Sequence, residues 1–280
     1  MTASLAPMYL QGVGLLGPGL PSWPGSQATL RGEQPHRFEL CVLPPPARLP
    51  PAERRRAGAV VRLAMAVADE AIAMADIDPQ TLATVFTSSG GEGANCHSLC
   101  ETLASPNPLI SPTRFTNSVH NAAAGYWHIA VGSRHSSTSL CAHDGSFGAG
   151  LLEAATLMHD HPEPLLLVAY DLPYPEPLHS ARPLPDNLGL ALVLTPQPTN
   201  RSFAELRVAP LPMRLAPPVA DCGDASLDAL RTGMPAGAGL PLLQALARGL
   251  DATPRELTIA YLPQLALGVQ LAAVGKTTAS

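Results

Sequence analysis

The stretch Leu82-Ala83-Thr84-Val85-Phe86-Thr87-Ser88-Ser89-Gly90-Gly91-Glu92-Gly93 decides the fold class. Its first six residues, rich in β-branched and aromatic side chains, read as a strand, and the glycines after Ser89 as a turn into a helix. Strand, glycine turn and helix in that order mark an α/β protein. Upstream, a proline-rich stretch from Pro44 to Pro51 leads through Glu53-Arg54-Arg55-Arg56 into a long helix ending near Ala75. In that helix Val61, Met65, Ala68, Ile72 and Ala75 recur at three and four and make one buried stripe. The arginine run reads as a solvated face, with phosphate binding as the sharper alternative. Downstream, Asn121 to about Val131 and Asp144 to Met158 read as helices, Ser137 to Leu140 as a strand, and the apolar runs Leu165–Tyr170 and Leu188–Leu194 as strands buried on both faces. Near the start, Gly12-Val13-Gly14-Leu15-Leu16-Gly17 has the spacing of a dinucleotide fingerprint. Pro18, Gly19, Pro21 and Pro24 forbid the helix whose N-terminus must receive the pyrophosphate, so Tyr9 to Gly17 reads as a strand and a turn.

Composition narrows the function. With 280 residues, 46% hydrophobic and 14% charged, the chain can bury a sizeable core, and its 31 prolines belong in loops. The net charge is −5, and 16 of the 17 basic residues are arginines, so no basic face for nucleic acid is visible. The single lysine, Lys276, lies four residues from the end, which argues against a P-loop or a Schiff-base enzyme. Met1 to Leu5 has no secretory pattern, and the expectation is a cytoplasmic protein. Five scattered cysteines suit reduced thiols. Cys96 and Cys100, four apart with His97 between them, fall on one helix face, yet no second ligand pair stands at zinc spacing, so neither a metal nor a cofactor is expected. Leu257 to Gly275 is uncharged, but Pro263, Gln264, Gly268 and Gln270 interrupt it. It reads as a strand followed by a short buried helix and not as a membrane span.

Two segments echo each other. Ala71-Ile72-Ala73 precedes Pro79-Gln80-Thr81-Leu82 and its strand, while Ala245-Leu246-Ala247 precedes Pro254-Arg255-Glu256-Leu257 and Thr258–Tyr261. Helix, proline turn and strand thus recur, as in an internally duplicated fold.

The stretch from Ser111 to Asp171 resembles the N-terminal half of ketoacyl synthases. The resemblance rests on Ser111-Pro112-Thr113 with Phe115, on Asn117-Ser118-Val119-His120-Asn121-Ala122-Ala123-Ala124-Gly125, and on Gly145-Ser146-Phe147 with Gly150-Leu151-Leu152-Glu153-Ala154. With the Pro50–Ser89 segment and Gly12-Val13-Gly14 it covers about two thirds of the chain. It is most similar to the shortened synthase-like proteins called chain length factors of aryl polyene and xanthomonadin-type pigment pathways. The resemblance implies a thiolase-like αβαβα layered fold. Residues 1–200 are expected to form a complete ketoacyl synthase-like first half, and 201–280 a truncated remnant of the second.

Such enzymes need a cysteine nucleophile activated at a helix N-terminus, and histidines that stabilise enolate and oxyanion. Counting back along the helix that ends near Ala154 puts Asp144 in the nucleophile position, where its plain reading is a helix cap. A competing alignment along the preceding strand makes Cys141 the nucleophile, with His120 as a conceivable base. The last of nine histidines is His179, and Leu262-Pro263-Gln264 stands where the resemblance expects the first catalytic histidine. No G-x-S-x-G surrounds Ser88, Ser118 or Ser146, so a hydrolase finds no support. The resemblance therefore implies no catalytic residues and a non-catalytic subunit pairing with an active ketoacyl synthase, engaging an acyl carrier protein only indirectly. Phe115, Asn117, Val119, His120, Tyr126 and Trp127 are the candidates for its interface and for the wall of an acyl tunnel, with a core role equally open for each aromatic. The rival expectation is a minimal acyltransferase or condensing enzyme using Cys141.

Overall fold

The computed structural model describes residues 5–251 and 253–275, so Lys276 and the first four residues lie outside the described part. The first half runs β1 (Met8–Leu16), α1 (Gln27–Arg31), α2 (Pro51–Arg56), α3 (Ala59–Ala75), β2 (Ala83–Thr87), α4 (Gly93–Ala104), α5 (Pro112–Thr116), α6 (Ala122–Val131), β3 (Ser137–Leu140), α7 (Ser146–Asp160), β4 (Leu165–Asp171), α8 (Leu178–Ala181) and β5 (Leu188–Thr195). β6 (Ala204–Pro212), α9 (Ala225–Gly233), α10 (Leu240–Ala247), β7 (Arg255–Leu262) and β8 (Leu265–Ala272) follow. The strands form one mixed sheet in the order β3-β2-β4-β5-β1-β6-β8-β7. β2 lies parallel to β3 and β4, and the other pairs are antiparallel. The connection from β2 to its parallel neighbour β3 carries α4 to α6, and the path on to its other parallel neighbour β4 adds α7, as crossovers require.

Two apolar clusters cover opposite faces of the sheet. One joins Val61, Val67, Ile72 and Trp127 of α3 and α6 to Phe86, Val168 and Val193, and the other joins Phe147 and Leu151 of α7 and Leu243 of α10 to Val85, Leu167 and Leu192. α7 is enclosed from both sides, and its glycines record how closely. A Cβ at Gly150 would stand 2.6 Å from Thr87 Cγ2 on β2, and one at Gly148 would stand 3.0 Å from the Ala260 carbonyl on β7. The sheet bends around this helix at the short β1–β6 ladder, Met8 to Leu10 against Ala204 to Leu206. The layers are thus α3 with α6, the strands β3 to β1, α7 with α10, and the β6–β8–β7 strands. This is the mixed α/β layering of the fold class, with four layers, α-β-α-β, formed by the described residues. The outer face of the last layer carries Arg207, Glu256 and Gln270, which sit in register with one another.

The structure corrects two expectations. Leu257–Gly275 does not contain a helix, because Pro263-Gln264 forms a turn and Leu265–Ala272 returns as β8. Leu267, Val269 and Leu271 are buried while Gln270 is exposed, a period of two that the uniformly apolar composition hid. The helix after the proline-rich stretch is broken at Ala57-Gly58, where the backbone is extended, so the arginines lie on α2, apart from the amphipathic α3. All five residues of the predicted α3 stripe are buried.

Candidate site at the carboxyl ends of the parallel strands

In an α/β sheet, ligands and catalytic groups gather beyond the carboxyl ends of the parallel strands. Here those ends are Ser88-Ser89 after β2, Cys141 to Asp144 after β3 and Asp171 at the end of β4. The Ser88 amide donates to the Leu140 carbonyl at 3.3 Å, which ties the first two together. His143 to Gly145 make a single 3-10 turn into α7, and the Ser146 hydroxyl anchors it by donating to the His143 carbonyl at 2.7 Å and accepting from the Ala142 amide at 3.0 Å.

Asp144 does not cap α7. Its carboxylate makes no bond to an N-terminal amide and instead accepts from the Arg182 guanidinium, with His143 Nδ1 3.2 Å away. Arg182 also reaches His143 Nε2, and its guanidinium stacks 5.7 Å from the centre of the Tyr174 ring. The carboxylate is largely exposed while Arg182 is mostly covered, so the pair lies across the mouth of the α7 N-terminus. His143 holds φ 50°, a left-handed backbone uncommon outside glycine. A cavity of about 180 Å³ beside Asp144 is lined by Val219, Arg231, Met234, Pro235 and Ala260. β7 packs against this point, since a Cβ at Gly145 would collide with the Tyr261 carbonyl. Leu262-Pro263-Gln264, just beyond, forms the β7–β8 turn.

Sequence reasoning missed Asp171. It is 2% exposed, and both oxygens accept hydrogen bonds: Oδ1 from the Ser89 amide (2.8 Å) and hydroxyl (2.6 Å), Oδ2 from the Ala236 amide (2.8 Å). Because the Ser89 hydroxyl gives its proton to Asp171, the Tyr174 hydroxyl, 2.8 Å away, donates to Ser89. Burial pushes the Asp171 carboxyl up to about 6, against the opposing pull of these donors and, more weakly, of Arg182. An acidic residue closing an otherwise apolar strand, Leu-Leu-Leu-Val-Ala-Tyr-Asp, was the available signal. A second cavity, about 200 Å³, lies between the Ser88–Gly93 turn and Tyr174, bordered by Asp171, Glu92 and Asn187. Burial also raises Glu92, opposed by a bond from the Asn95 amide.

The remaining candidates separate. Cys141 is exposed, and no hydrogen bond joins it to His120 among the described residues. His120 Nε2 instead donates to the Ser88 carbonyl at 3.3 Å. Phe115 (65% exposed) and Val119 (49%) face solvent, whereas Tyr126 is buried and Trp127 is fully enclosed in the core beneath α3. Asn117 joins the two groups, accepting from the Tyr126 hydroxyl at 3.1 Å and donating to the Arg56 carbonyl at 3.1 Å. Cys96 and Cys100 are exposed on α4, with His97 turned to Glu101 at 3.3 Å, and among the described residues no group of three or more His, Cys, Asp or Glu is placed to hold a metal. Among the same residues no helix is long and apolar enough to cross a membrane.

Layering, parallel-strand ends and a helix N-terminus enclosed between two sheet regions define a layered α/β protein with its site at the carboxyl ends of the parallel strands. Residues 27–225 match the family model described as the N-terminal domain of beta-ketoacyl synthase, and the chain belongs to that family. Comparison with the curated proteins gives no match. Among solved structures, the chain is similar to one from the complex of the ketosynthase ApeO with its chain length factor ApeC from Xenorhabdus doucetiae (22% identity, 94% of this chain and 98% of that one, TM-score 0.69). It is also similar to the ishigamide ketosynthase/chain length factor (14% identity, 96% and 99%, TM-score 0.72). A third likeness is to the AntDE:AntF complex of a type II polyketide acyl-carrier protein with its ketosynthase (12% identity, 96% and 100%, TM-score 0.71). At these identities the likeness is one of fold.

Proposed function

We propose that this chain is a non-catalytic, chain length factor-like subunit that pairs with an active ketoacyl synthase in a type II fatty acid or polyketide-like pathway, of aryl polyene pigment type. The observation that carries this reading is Asp144. At the helix N-terminus where a condensing enzyme of this family presents a thiolate, the chain presents a carboxylate held by Arg182, and a carboxylate so placed does not accept an acyl group from a carrier thioester in the usual way. Two further features support it. Among the described residues β3 ends the sheet with one edge unpaired, and Phe115, Val119 and Ile129, on α5, α6 and the segment joining them, are exposed. An open strand edge and exposed apolar side chains are each suited to association with a second protein. We place the boundary between the two halves near residue 200, between β5 and β6, and the protein in the cytoplasm, with the acyl carrier protein reaching it through the partner. No catalytic residue is assigned.

Intact mass after incubation with an acyl-carrier thioester tests the reading. The expected result is an unmodified chain. An acyl adduct that disappears in Cys141→Ser would contradict it and install the exposed Cys141 as nucleophile of a minimal acyltransferase. In the reconstituted pair, Phe115→Ala is expected to lengthen the products, and an unchanged distribution removes Phe115 from the tunnel wall.

A further inference from the structure

We infer that Asp171 is a proton-linked latch that joins the loop after β2 to the 235–239 turn and governs how readily the two part beside the Asp144 cavity. The geometry sets it apart from an ordinary buried polar residue. Its three hydrogen bonds come from two chain regions far apart in sequence, Ser89 and Ala236, and all three are donated to it. Among the described residues no cation is hydrogen-bonded or ion-paired to it. Arg182, the basic group nearest in electrostatic effect, is committed to Asp144, His143 and the face of Tyr174. The titratable and charged groups around it are Arg182 and Tyr174 from the β4–β5 connection, Tyr170 from its own strand, and Glu92 from the Ser88–Gly93 turn. A carboxylate enclosed with neutral donors and no counter-ion is costly in its charged form.

The turn bearing Ala236 begins at Pro235, which lines the cavity beside Asp144 together with Met234 before it. Parting the Asp171–Ala236 contact admits water to Asp171 and loosens that cavity wall. The sign follows from linkage. Closed, the carboxyl keeps its proton up to about pH 6; opened to water, it returns towards its ordinary 3.8, so acid favours the closed form and neutral pH favours opening. The ratio of open to closed molecules then rises about tenfold between pH 5 and pH 7.5. By the same sign, Asp171 contributes stability to the fold that is fully present below about pH 3.8 and is lost as pH rises through about 6.

Native-state hydrogen exchange of the two donating amides, Ser89 and Ala236, reads the latch directly. Corrected for intrinsic exchange rates, both are expected to be about tenfold better protected at pH 5 than at pH 7.5. The Leu192 amide, on the central strand β5, exchanges through opening of the whole fold and should be better protected than both at either pH, which separates the latch from global unfolding. In Asp171→Asn, which cannot titrate, the step should vanish at Ser89 and Ala236. Flat protection in the wild type, or a step surviving in a folded Asp171→Asn variant, overturns the inference. If the variant does not fold, the carboxyl carbon shift of Asp171 in the wild type decides. A midpoint near 6 supports the latch, and one near 4 overturns it.

Discussion

Gly14 lies on β1 directly beneath α3. A Cβ there would stand 2.8 Å from the Val67 carbonyl carbon and 3.1 Å from Val67 Cα, and closer still to the carbonyl oxygen. These are backbone atoms in the middle of a 17-residue helix, so no side chain can turn aside. Gly14→Ala therefore forces α3 away from the sheet by roughly an ångström, loosening its buried face from Val61 to Ile72 against β1, β4 and β5. Overpacking a core typically costs about 1–3 kcal/mol, and displacement of a whole helix belongs at the upper end, about 3 kcal/mol. In urea, with a slope of about 3 kcal/mol/M for a chain of this size, the unfolding midpoint should fall by about 1 M. Gly223→Ala is the control. Its φ is 64° and nothing lies near the notional Cβ, so only left-handed backbone strain of about 1–2 kcal/mol applies. A Gly14→Ala protein within about 1 kcal/mol of wild type at unchanged slope would refute the close packing of α3 on β1. It would reopen the question of why Gly12-Val13-Gly14 is there.

Trp127→Ala should cost about 3–5 kcal/mol, because the side chain is fully enclosed, whereas Phe115→Ala, at 65% exposure, should change stability by no more than about 0.5 kcal/mol in the same denaturation assay. Asp224 caps α9, accepting from the Ser226 and Leu227 amides at 2.9 and 3.0 Å, and these bonds hold its carboxyl below the usual range. Asp224→Ala should cost about 1 kcal/mol at neutral pH, with the difference from wild type shrinking as acid carries the solution through the depressed value, read from thermal unfolding across pH. Arg182→Ala should barely alter stability, by less than about 1 kcal/mol, since its partner Asp144 is largely exposed. It should speed carboxyl-directed labelling of Asp144, seen by peptide mass mapping.

Where periodicity and turn chemistry were local, the fold was legible. The α3 stripe, β2 with its glycine turn, and the apolar runs that became β4 and β5 all read correctly, because each needs only its own spacing to bury its side chains. Leu257–Gly275 failed because a uniformly apolar stretch does not reveal its period; the alternation of β8 emerges only once β6 and β7 pair with it. The antiparallel setting of β4 against β5 was equally hidden, since both strands are buried on each face whatever their direction. At the site, the motif count led to Asp144, but its contacts were not legible. Arg182 reaches it from 38 positions away. Asp171 escaped because its meaning depends on Ser89 and Ala236, which only the folded chain brings to it.

The central claim is that this chain is half of a pair. Co-expression of the full chain with an untagged ketosynthase of the same organism, affinity capture, and mass measurement by light scattering test it most directly. The account predicts a stable one-to-one heterodimer, weakened when a charge is placed on the open edge strand by Thr138→Asp. Recovery of the chain alone, as a monomer or as a dimer of itself with no synthase bound, would contradict it.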